Sequence, residues 1–151
     1  MAESKARSHA NKILESKGEK WTAPRESVFR ALSSQIKPVS AYQLIELINR
    51  DGAQAIKPPS VYRALAFLQE IGLAVKVEGL NAFMMCRHGE HDHDHALHHV
   101  FLICDACGHT DEQCNGKLSQ ELIRNATAQG FKPTRQIVEL HGKCAACQKA
   151  A

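Results

Sequence analysis

Apolar residues recur at helical spacing through the first half of the chain and give way to short extended runs afterwards. Residues from about Ser4 to Lys17 read as a polar helix with few anchors, Ile13 and Leu14, closed by Gly18. Thr22, Pro24 and Glu26 signal a second helix start, and Val28, Phe29 and Leu32 supply its apolar face to about Ser34. Pro38 breaks the chain, and Ser40 caps a third helix, AYQLIELINR, ending at Asp51-Gly52. The run VYRALAFLQEI, led in by Lys57-Pro58-Pro59-Ser60 and ended by Gly72, is a fourth. At 100° per residue, Val61, Ala64, Leu65, Leu68 and Ile71 share one face of it. Tyr62, Arg63, Ala66, Gln69 and Glu70 share the other. That polar face opens with Tyr and Arg in the first turns, where a major-groove reader needs them.

Two short strands, LAVKVEG and AFMMC, follow, joined at Gly79-Leu80-Asn81. Short helices and then a hairpin describe a winged helix-turn-helix, with the third and fourth helices as the DNA-facing pair. Beyond a polar His/Asp loop, the pattern predicts strands near His99–Cys104 and 109–113. A helix, KLSQELIRNATAQ, closes at Gly130, and a last strand, RQIVELHG, follows. The expected class is α+β: a winged-helix domain over 1–82, then a small α/β dimerisation domain over 83–151. The second is small and rich in strand edges, so sheet pairing across a homodimer is expected.

Charge sharpens this division only a little. Residues 1–82 carry twelve Lys/Arg against eight Asp/Glu, and residues 83–151 seven against eight. A basic first half is compatible with nucleic acid. The N-terminus lacks the apolar run of a signal peptide, and no stretch approaches membrane-spanning length. The expected location is cytoplasmic, where thiols stay reduced and six cysteines read as metal ligands or free thiols.

The candidate chemistry concentrates in residues 86–114, which hold seven of the nine histidines and four of the six cysteines. Cys104-Asp-Ala-Cys107 and Cys144-Ala-Ala-Cys147 form a paired CxxC. Each CxxC turn can direct two thiolates at one tetrahedral ion, about 2.3 Å from each sulfur. Four cysteines close the coordination shell, so a structural zinc that pins the C-terminal tail to the central strand is expected. The competing reading is a redox thiol pair. Cys86, the histidine tract and Glu112 remain for a second site of mixed S/N/O type. The competing reading of the tract is a solvated loop that takes up metal loosely. Cys114 fits neither site and reads as a reduced core cysteine. His109 and His141 read as surface or strand-end histidines.

KPPSVYRALAFLQEIGLAVKVE, then FLICDACG, then ELHGKCAAC together resemble the ferric-uptake-regulator family of bacterial metalloregulators, and most closely its zinc-responsive branch. The resemblance runs from about Trp21 to Cys147. It implies a dimeric repressor with a winged-helix DNA-binding domain and a dimerisation domain. Tyr62 and Arg63 then resemble DNA-reading positions and Tyr42 another DNA contact; Ser60, opening the same helix, joins the candidate DNA face. Cys104, Cys107, Cys144 and Cys147 match the family's structural zinc site. Cys86 and Glu112 match sensing-site ligands. The sensing histidine is His93 or His95 counted forward from Cys86, and His99, with His98 beside it, counted back from Cys104. A further ligand expected just after the recognition helix falls on Val75, and His88 or Glu78 could replace it.

The function expected is therefore a zinc-responsive repressor of zinc-uptake genes, with about two zinc ions per chain and double-stranded operator DNA as partner. Alternatives are an iron or peroxide sensor of the same family, or a zinc storage or delivery protein using the histidine loop. Thiolate ligation at Cys86 disfavours iron. An enzyme is not expected, because no HExxH-like spacing accompanies the candidate ligands.

Overall fold

The computed structural model describes residues 2–50, 55–86 and 99–150. The chain divides into two compact units, Met1–Gly89 and Glu90–Ala151.

In the first unit the expected helices form as α1 (Ala2–Lys17), α2 (Ala23–Ser33), α3 (Ala41–Arg50) and α4 (Pro58–Glu70). Their starts have local causes. The Thr22 hydroxyl accepts the Arg25 N–H at 3.4 Å. Ser40 and Gln43 form a reciprocal capping box: the Gln43 N–H donates to Ser40 Oγ at 3.2 Å, and the Ser40 N–H donates to Gln43 Oε1 at 2.8 Å. α4 begins at Pro58, two residues before Ser60. The first helical positions need no N–H donor and proline's fixed φ suits them, so the Pro-Pro pair belongs to the helix.

Strands β1 (Ala74–Val77) and β2 (Ala82–Met85) pair antiparallel, Ala74 with Met85 and Val77 with Ala82. A single 3-10 turn, Glu78–Leu80, joins them and ends at Asn81, whose φ of 45° lies in the left-handed region. An isolated bridge between Val39 and Phe83 ties the α2–α3 connection to β2. The core gathers one face of each element. Val28, Phe29, Leu32, Leu44, Val61, Leu65 and Leu68 are at most 1% exposed. Fully burying side chains of this kind stabilises by about 1.5–3 kcal/mol each. On α4 the wheel holds residue by residue, with Phe67 an additional buried position. Helices followed by a hairpin make this the expected winged helix-turn-helix.

The second unit holds β3 (His99–Cys104), β4 (Thr110–Cys114), α5 (Gly116–Ala128), β5 (Val138–Gly142) and α6 (Ala145–Lys149). β3 is central: β4 pairs antiparallel on one edge and β5 parallel on the other. α5 carries the chain across β3 between the two edges, and Asn115 caps it by accepting the Leu118 N–H at 3.1 Å. β5 begins at Val138 rather than Arg135, and Gln136 instead donates its side-chain amide to Ser119 Oγ at 3.1 Å. The terminal helix α6 has no counterpart in the sequence reading.

Candidate metal centre and the exposed face of the fourth helix

The four paired cysteines converge. β3 ends at Cys104, where the chain turns tightly. The Gly108 N–H donates to the Cys104 carbonyl, and the Cys104 N–H to the His109 carbonyl, both at 2.8 Å. Gly108, with φ of +71°, supplies the left-handed residue that brings the CxxC loop back on itself. The parallel register sets Cys104 against Gly142, and the Asp105 N–H donates to the Gly142 carbonyl at 2.8 Å. Cys144 follows two residues later as the N-cap of α6, and α6 carries Cys147 round to the same point.

Their four sulfur atoms all lie within 4.8 Å of one another, and the Sγ atoms of Cys107 and Cys144 are 3.8 Å apart. A tetrahedron with zinc–sulfur bonds of about 2.3 Å has sulfur–sulfur edges of about 3.8 Å. The donor set and its spacing therefore fit a tetrahedral thiophilic ion. Electrostatics prepares the cluster for one. The Cys144 N–H, 3.3 Å from Cys104 Sγ, and then the Cys107 N–H hold the Cys104 thiol down at about 6 against the opposing effect of burial. Hydrogen bonds with the thiols of Cys144, Cys107 and Cys104 push Cys147 up to about 12. Without a metal the cluster thus favours a thiolate at Cys104 and a retained proton at Cys147. Beside it, His141 Nδ1 lies 2.9 Å from Asp105 Oδ1, linking the strand that leads to the second CxxC with the loop of the first.

His99 and Glu112 lie on one face of neighbouring strands, since Phe101 faces Glu112 and His99 faces Cys114 in the ladder. His99 Nδ1 is 2.5 Å from Glu112 Oε1, and Glu112 is 4% exposed. A buried carboxylate needs a partner, and the imidazole supplies one. The His99 ring also stacks on Phe101, with 6.0 Å between centroids. Cys86 belongs to the first unit, where its N–H donates to the Leu73 carbonyl just after β2, and its thiol is half-buried. His88, His93, His95 and His98 lie outside the described residues. Val75 sits in β1, and Glu78 pairs with Lys76 at 2.8 Å.

On the first unit, Tyr42 in the first turn of α3 is 68% exposed, and Tyr62 in α4 is 57% exposed. Arg63 is exposed, and Ser60 half-buried in the first turn of α4. The outer face of α4 thus presents an aromatic hydroxyl and a guanidinium to solvent. Asn49 was not singled out in the sequence: its Oδ1 accepts the Ile56 N–H at 2.7 Å, bridging the connection between α3 and α4. Only its position at a helix end beside a Gly-containing turn could have pointed to it.

Residues 16–141 match the ferric uptake regulator family. The chain belongs to that family. Among ferric uptake regulator family proteins, it is 38% identical over 139 residues to the zinc uptake regulation protein of Escherichia coli (strain K12), covering 91% of this chain and 78% of the relative. A zinc uptake regulator solved in complex with zinc and DNA superposes with a TM-score of 0.90 at 33% identity, covering 99% of this chain and 97% of that one. The holo form of XcZur gives 0.85 at 37% identity, covering 99% and 100%. No helix among the described residues is long and apolar enough to cross a membrane.

Proposed function

We propose that this ferric uptake regulator family member is a zinc-responsive transcriptional repressor that binds operator DNA as a homodimer and acts on zinc-uptake genes. The observation that carries the reading is the four-thiol cluster at tetrahedral spacing, in a chain whose α4 presents Tyr62 and Arg63 outward. The names of its relatives support it: one is a zinc uptake regulation protein, another a regulator in complex with zinc and DNA. These are regulators, and a four-cysteine shell leaves no open position for hydrolytic chemistry.

The division of labour follows the halves of the sequence, with residues 1–82 meeting DNA and residues 83–151 dimerising and holding metal. Cys104, Cys107, Cys144 and Cys147 hold a structural zinc. Cys86, His99 and Glu112, with His93, His95 and His98 as the remaining candidates, hold a second, sensing zinc. When bound, the metal supplies a tetrahedral tie between side chains distant in sequence. Tyr42, Ser60, Tyr62 and Arg63 meet the duplex, and exposed Phe131, Ile137 and Leu140 of the second unit suit a dimer interface. The site of action is the cytoplasm.

The test combines metal analysis with DNA binding. The protein as purified should hold two zinc ions per chain and keep one after dialysis against a mild chelator. Binding to promoter fragments of zinc-uptake genes should then require zinc to be restored. Equal binding with and without the chelatable zinc would sink the reading.

A further inference from the structure

Arg25 lies in the first turn of α2, beside the elements assigned to DNA. An arginine so placed commonly offers its guanidinium to a phosphate. Here the guanidinium is turned inward. Nη1 donates to Glu19 Oε2 at 2.9 Å and to the Lys20 carbonyl at 3.0 Å. The guanidinium carbon lies 3.3 Å from the centroid of the Phe67 ring. Glu19 and Lys20 belong to the loop between α1 and α2, and Phe67 belongs to α4. One side chain therefore joins three segments. Phe67 is four residues after Arg63, one turn further along the helix, and is 8% exposed. The Arg63 side chain makes no hydrogen bond or ion pair among the described residues.

We propose that Arg25 is a positioning residue for base readout. By clamping Phe67 to the α1–α2 loop it sets the rotation of α4, and with it the points at which Tyr62 and Arg63 meet the base edges. The proposal rests on the DNA-binding reading above. Its physical basis is the shape of the guanidinium, which stacks on a ring through its plane while donating within that plane. Lysine cannot do both. Contacts to base edges depend on close alignment of the helix, whereas contacts to phosphates tolerate small rotations.

Two variants isolate the effect. Arg25→Lys keeps the charge and loses the stacked fork; Phe67→Leu leaves every charge in place and removes the aromatic face. The probes are a duplex enriched from a random pool by the zinc-loaded full-length protein and a shuffled duplex of the same length and composition. Affinities are measured by fluorescence anisotropy across a salt series, at a temperature where Trp21 emission shows each variant folded. Both variants should lose about tenfold or more of the preference for the enriched duplex. Affinity for the shuffled duplex and the salt slope should stay at wild-type values. A third variant, Arg25→Ala, removes the charge: an equal loss on both duplexes with its salt slope shallower by about 0.9 would make Arg25 a phosphate contact and overturn the assignment. Unchanged preference in both variants would reduce the clamp to a stability element and overturn it equally. Failure of the wild type to enrich any duplex would remove the DNA-binding reading and this assignment with it.

Discussion

Cys104 and Cys147 share one cluster and are driven in opposite directions. Cys104 falls from 9.0 to about 6, so between those values the folded, metal-free chain has released a proton that the unfolded chain retains. That contribution is fully present above pH 9.0 and is lost as pH falls through about 6. Cys147 rises from 9.0 to about 12, so from pH 9.0 upward the folded chain keeps a proton the unfolded one sheds, and stability declines. In chelator and reductant, the urea midpoint of the second unit, followed by amide hydrogen exchange in β3 and β4, should climb from pH 6.5 to about 8.5. Cys104→Ser should flatten that climb; a midpoint independent of pH in the wild type would contradict the charge assignment. Cys86→Ala belongs to the other proposed site. It should lower the zinc content from two to one and abolish zinc-dependent DNA binding while leaving a folded dimer, as light scattering and metal analysis would record.

At the scale of elements, local chemistry decided where helices start. Removing the hydroxyl from the capping box, Ser40→Ala, should cost about 1 kcal/mol, read as a lower urea midpoint at unchanged slope. The box was half legible in the sequence, since Ser40 stood before a strongly amphipathic run. The reciprocal Gln43 bond needed the structure. Likewise the wheel of α4 divided buried from exposed residues correctly, because a period of 3.6 against one core leaves little freedom. What the sequence could not supply were contacts between distant segments: Arg25 on Phe67, His99 with Glu112, Gln136 with Ser119. None leaves a periodic trace. The paired CxxC was legible because four equivalent ligands require one another. The His99–Glu112 pairing was one of several open choices, since seven histidines crowd the same stretch and only strand register distinguishes this one.

As a whole molecule, the two units differ in how far each can bury its own apolar surface. The first encloses a continuous core of helix and hairpin side chains. The second leaves Leu122, Phe131, Ile137 and Leu140 between 42% and 64% exposed, more than a lone small domain tolerates. Leu140→Glu should convert the proposed homodimer to a monomer in sedimentation or light scattering, with secondary structure retained because the wild-type side chain is largely solvent-facing. A dimer of unchanged affinity would place the interface elsewhere. The parallel pairing of β5 with β3 also bears on how the protein is made. β3 sits in the middle of its sheet, yet one of its two neighbours is translated only after α5, and the last sulfur later still. On the ribosome the winged helix emerges whole while β3 still has an open edge. At the proposed four-cysteine site, metal capture therefore has to wait until Cys147 has left the exit tunnel.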